Sequence, residues 1–128
     1  MTLHALKSQL ATACPIRDVV DRVGDRWTVL VLTELGAGTL RFGELKARIP
    51  DVSQRMLAQT LRRLEEDGFL LRQVFPTSPP KVEYSLTALG RSFMAPVRAM
   101  IEWAAENHAA VRAARAAYGG RPAAIAAK

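Results

Sequence analysis

Residues 53–68 read SQRMLAQTLRRLEEDG, and their spacing decides how the rest of the chain is organised. At 3.6 residues per turn Leu57, Leu61 and Leu64 fall on one side of a helix, and Arg55, Gln59, Arg62 and Glu66 on the other. One side packs; the other presents guanidinium and amide groups. Arg pairs with guanine edges and Gln with adenine edges in a major groove, and both reach phosphates. An isolated charged face is more often simply solvated, so the flanking sequence has to choose between the two readings.

Immediately upstream, Phe42, Leu45 and Ile49 recur at helical spacing, with Glu44, Lys46 and Arg48 on the polar side, until Pro50 ends the run. Pro50, Asp51 and Val52 form a tight link, and Ser53 supplies an N-cap oxygen. Two helices joined by so short a turn predict a helix-turn-helix whose second helix enters the major groove. Downstream of Gly68 the pattern becomes extended: Phe69 to Phe75, a turn-forming tip from Pro76 to Pro80, then VEYSL from Val82 to Leu86. That is a hairpin, and the whole predicts a winged helix. Arg72 on the stem and Lys81 at the tip are placed to meet phosphates flanking the groove.

Farther out, Ile16, Val19, Val20 and Val23 predict a short first helix stopped by Gly24, and Asp25 caps a second helix, RWTVLVLTEL, ending near Gly36. Trp27, Leu30, Val31, Leu32 and Leu35 mark it as the central buried helix, and Thr39 to Arg41 has room for one short strand. Thr87 caps a long final helix with apolar positions Leu89, Phe93, Val97, Met100, Ile101 and Ala104, and Trp103 beside them. Pro96 inside it predicts a kink or a break. Such a helix needs covering by its own core or by a second copy of the chain, and dimerisation is the preferred reading. Residues 1–13 read as an arm, 14–107 as the domain, and 108–128 as an Ala-rich basic tail fraying by Gly119 and partly disordered.

A chain of 128 residues supports one modest domain, and 18 Lys and Arg against 12 Asp and Glu give it a net charge of +6, which favours an anionic partner. No apolar run is long enough to span a bilayer, and the amino-terminal stretch has no secretory h-region, so a cytoplasmic location is expected. His4 and His108 lie far apart without a nearby cysteine, so no metal site is expected. Glu65, Glu66 and Asp67 are consecutive and splay around a helix, and no Ser/His/Asp set, phosphate loop or HExxH occurs. Neither an enzyme nor a cofactor is expected. Trp27, Trp103, Phe42 and Phe93 could line an effector pocket, although their spacing equally suits core packing.

Together the runs CPIRDVVDRVGDRWTVLVLTEL, LRFGELKARIPDVSQRMLAQTLRRLEEDGFLLR and PPKVEYSLTALGRSF, with Glu102-Trp103 beyond them, resemble the HxlR-type (DUF24, MarR-like) winged helix-turn-helix transcriptional regulators of bacteria. The resemblance covers roughly Cys14 to Asn107. It implies a mainly α fold with a small β-hairpin wing (α+β) and terminal dimerisation helices. It also implies a homodimer on a pseudo-palindromic double-stranded operator, with repression as the expected sign. Carried onto this chain, the recognition positions are Ser53, Gln54, Arg55, Gln59, Arg62 and Arg63, with the wing over Val74 to Tyr84. Arg41, Lys46, Arg72 and Lys81 join them as phosphate-contact candidates, and Ile16, Val19, Val20, Phe93, Val97, Met100, Ile101, Trp103 and Ala104 as the dimer interface.

Some members of that family sense electrophiles or oxidants through a cysteine just before the first core helix, and Cys14, followed by Pro15, matches its place. Arg17 or a helix amino terminus close by would favour the reactive thiolate. The bland alternative is a small packing residue. As the chain's single cysteine, Cys14 can form a disulfide only with another molecule. Two other functions stay open: control by a small effector at the dimer interface, and a winged helix that serves as a non-DNA adaptor.

Overall fold

A computed structural model describes residues 25–120, together with Thr2, Leu3, Val19, Asp21, Ala123, Ala124 and Ala126. The elements run α1 (Arg26–Gly36), β1 (Leu40–Arg41), α2 (Phe42–Arg48), α3 (Gln54–Glu66), β2 (Leu70–Phe75), β3 (Lys81–Leu86) and α4 (Ala88–Tyr118). These four helices and three strands make the winged helix expected from the sequence. Two units divide the chain, Met1–Val97 and Arg98–Lys128. Apart from Val19 and Asp21, the short first helix expected over residues 16–23 lies outside the described residues, and so does Cys14.

α1 starts where Asp25 accepts a 2.9 Å hydrogen bond from the Trp27 amide, as its sequence position predicts. Its buried face is Thr28, Val31, Leu32 and Leu35, spaced three, one and three residues apart. Leu30 lies off that face and is 43% exposed, which corrects its assignment to the core. β1 adds to the far side of β3, giving an antiparallel sheet of order β1-β3-β2. Leu40 pairs with Tyr84, which in turn pairs with Arg72; Arg41 pairs with Glu83, which pairs with Gln73. Leu40, Tyr84, Leu70 and Leu86 are buried, so the face carrying them closes over the core formed with Leu45, Leu57, Leu61 and Leu64.

The end of α3 is fixed by a tight set of backbone bonds. Gly68, at φ 82, turns the chain while its N–H reaches the Glu65 carbonyl at 3.0 Å and the Phe69 N–H reaches the Leu64 carbonyl at 2.9 Å. Thr87 then joins this turn to α4: its hydroxyl donates to the Gly68 carbonyl at 2.6 Å and accepts from the Gly90 amide at 3.0 Å. Its own amide donates to the Phe69 carbonyl at 3.1 Å. Gly90 is the point of closest approach, because a Cβ there would lie 2.0 Å from the Phe69 carbonyl oxygen. Phe93, one turn on, stacks on Phe69 with ring centroids 5.0 Å apart.

Of the kink or break expected at Pro96, the break does not occur: α4 is continuous from Ala88 to Tyr118. Val97 is 1% exposed, so it serves the protomer's interior instead of an interface, and Phe93 is partly buried against the core. Met100, Ile101 and Trp103 are 50, 39 and 60% exposed, and Ala104 is exposed as well. Among the described residues no helix is long and apolar enough to cross a membrane.

Candidate nucleic-acid interface

Ser53 begins the candidate recognition helix, accepting a 3.0 Å hydrogen bond from the Met56 amide, so the helix starts at Gln54 in α3. Leu57, Leu61 and Leu64 are at most 2% exposed, and burying three leucines stabilises the helix's seat by roughly 5 to 9 kcal/mol before entropy. Thr60 is buried with them, its hydroxyl satisfied by the Met56 carbonyl at 2.9 Å. The seat therefore holds four successive inward positions. Arg55, Gln59 and Arg62 are exposed on the opposite side, as the periodicity predicts.

These three side chains line one open groove together with Ala58. A second groove shares Ala58 and Arg62 and adds Leu61, Glu65, Arg72 and Tyr84. The two have Ala58 and Arg62 in common, and the second is lined by both α3 and the wing strands. Arg72 lies on the same sheet face as Leu70 and Tyr84 through its register, so the strand aims it toward the helix side. Three guanidiniums, from Arg55, Arg62 and Arg72, face one carboxylate, from Glu65, and the groove is net cationic. Ala58 is the residue sequence reasoning missed. Its signal was present: an exposed small residue amid Arg55, Gln59 and Arg62 leaves room for a base edge or a thymine methyl.

The remaining candidates separate into free and committed groups. Gln54 and Ser53 are exposed at the start of α3. Arg63 is half-buried and its guanidinium lies 3.6 Å from the Asp25 carboxylate, an ion pair that links α3 to the start of α1. Lys46 donates to the Pro50 carbonyl at 3.0 Å, bracing the turn between the two helices. Arg41 is exposed at the start of α2, where its backbone amide donates to Glu44 at 2.9 Å. Lys81 sits 3.8 Å from Glu83 and 5.1 Å above the Phe75 ring. Ion pairs this exposed are worth about 0 to 1 kcal/mol, so a phosphate displaces such a partner readily. Among the described residues no cluster of His, Cys, Asp and Glu could hold a metal ion.

The sequence profile of the HxlR-like helix-turn-helix family matches residues 22–112. The chain belongs to that family. It is 48% identical over 105 residues to the HTH-type transcriptional regulator YtfH of Escherichia coli K12, covering 82% of this chain and 83% of that one. Among solved structures, the putative transcriptional regulator ytfH from Salmonella typhimurium superposes with a TM-score of 0.72 at 47% identity, over 80% of this chain and 92% of that chain. The redox regulator HypR in its reduced form superposes with a TM-score of 0.73 at 37% identity, over 77% and 98%. The HxlR-like assignment thus rests on sequence and fold together, and the protein is a helix-turn-helix transcriptional regulator.

Proposed function

We propose that this regulator binds double-stranded DNA as a homodimer and represses transcription, with α3 in the major groove and the wing on the flanking backbone. The observation that carries this reading is the pair of open grooves sharing Ala58 and Arg62, lined on one side by Arg55 and Gln59 and on the other by Arg72, over a buried leucine seat. Arg55, Gln59 and Arg62 read base edges. Arg41, Arg63, Arg72 and Lys81 contact phosphates, with Ser53 and Gln54 at the helix start; Lys46, bonded to the Pro50 carbonyl, braces the turn. Met100, Ile101, Trp103 and Ala104 are the exposed α4 residues offered to a partner copy, together with Val19, which is 39% exposed. Ile16 and Val20, assigned the same role, lie outside the described residues.

A gel shift on the DNA upstream of its own gene tests the assignment. Arg55→Ala or Gln59→Ala should cost about 1 to 3 kcal/mol on the operator and relax preference at one position. Lys81→Ala should weaken binding to all sequences alike and make the salt slope shallower by about one. Equal losses on operator and random DNA for every α3 variant would overturn the assignment.

The likeness to a redox regulator favours one further reading, that Cys14 switches DNA binding by reacting with an electrophile or oxidant. Alkylation would place a new S–C bond on the thiolate, and oxidation would join it to a second thiol in a disulfide. Cys14→Ser should bind operator as the parent does and lose the response to diamide. A serine variant that still responds removes Cys14 from the mechanism.

A further inference from the structure

Much of the basic balance of the chain lies at its carboxy-terminal end. Residues 108–128 carry Arg112, Arg115, Arg121 and Lys128 and no Asp or Glu, so four of the six net positive charges sit there. α4 carries the first two of these cations as far as Tyr118, and His108, Arg112 and Arg115 fall on one helical face at spacings of four and three. All three are exposed, and neither arginine forms an ion pair among the described residues. The family match ends at Arg112, so most of this segment lies beyond it.

The residues opposite the cations are Ala110, Ala113 and Ala117. Alanine is the strongest helix former and buries little apolar area, so this stretch holds its shape by propensity and has little to pack. That composition discriminates between anionic partners. A helix lying on a lipid surface needs bulky apolar residues such as Trp, Phe or Leu opposite its cations; within 108–118 that side is methyl groups, and Trp103, on the same side two turns earlier, is among the residues offered to a partner copy. A duplex backbone asks only for cations at a regular spacing.

We infer that the end of α4, through Arg112 and Arg115, is a second DNA contact, a sequence-blind arm that binds phosphates flanking the operator. The inference rests on the DNA-binding reading given above. Tethered to a protomer already on its operator, the arm meets flanking DNA at high effective concentration, so even weak phosphate contacts add affinity. They carry no base information, so discrimination between operator and random sequence stays with α3.

The test compares the parent with an Arg112→Ala/Arg115→Ala variant, its helicity checked by circular dichroism, on two duplexes: the operator trimmed to its footprint, and the same operator extended by about 15 base pairs on each side. The expected result is equal affinity on the trimmed duplex. On the extended duplex the variant should bind about tenfold more weakly at low salt, with a salt slope shallower by up to about two per protomer. Identical affinity and slope on the extended duplex would overturn the inference, as would an equal loss on both lengths. Arginine-dependent binding to phosphatidylserine vesicles or to single-stranded RNA tighter than to the extended duplex would reassign the arm to that partner. A parent with no operator preference at all would overturn the underlying DNA reading, an outcome distinct from a parent that prefers its operator and a variant that matches it.

Discussion

The two stretches of α4 on either side of Val97 are held by different forces. From Ala88 to Val97 the helix buries Gly90, Met94 and Val97, spaced four and three apart, and stacks Phe93 on Phe69. From residue 98 onward Met100, Ile101, Trp103 and Tyr118 are all more than a third exposed, and the last three turns are mostly alanine. One stretch is specified by what it touches. The other is specified by propensity, and its apolar surface is available to a partner.

The largest effect expected from that contrast is at Gly90. A methyl at this position would meet the Phe69 backbone, so Gly90→Ala should destabilise the winged unit by about 3 kcal/mol or more in chemical denaturation. A near-neutral result would show that the approach can relax. Next, Met94→Ala should cost about 2 to 4 kcal/mol at every protein concentration, since it opens a cavity in the protomer core. Its counterpart Trp103→Ala should leave the protomer fold intact and weaken self-association by about 2 kcal/mol, read by analytical ultracentrifugation. A Trp103→Ala protein that dimerises as the parent does would exclude that residue from the interface. Thr87→Ala should cost about 1 kcal/mol through loss of the α4 cap, measured by thermal unfolding. Smallest of all, Ala113→Gly should reduce helicity locally while moving global unfolding by less than about 0.5 kcal/mol.

Local chemistry was legible in the sequence wherever one residue acts on its near neighbours. Asp25, Ser53 and Thr87 each cap the helix their position predicts, and the leucines of α3 all face inward. What escaped depends on partners distant in the chain. No pattern around Arg63 announces Asp25, and nothing near Gly90 announces the Phe69 carbonyl. Burial of Thr28 and Thr60 was missed because hydrophobicity marks a hydroxyl as a surface group; at Thr60 the helix's own carbonyl satisfies it. Val97 was assigned to an interface because an apolar stripe records that a helix face is covered, not whether its own chain or another copy covers it. The side of α3 carrying Arg55, Gln59 and Arg62 is exposed as the periodicity predicts, whereas Ala58, with no donor or acceptor, does not stand out beside them in the sequence.

Thr87 bonds the turn between α3 and β2 and the first turn of α4 at a single residue, through its hydroxyl to Gly68 and Gly90 and through its amide to Phe69. Helix and wing are thereby clamped at a common root, and the angle between them is a fixed quantity of each protomer. On the proposed dimer, two such units on one operator would behave as the jaws of a caliper: each jaw keeps its shape, and the gap between jaws is the adjustable dimension. A signal that turns reading off would then act on that gap, and its first detectable sign would be a change in the half-site spacing the protein prefers.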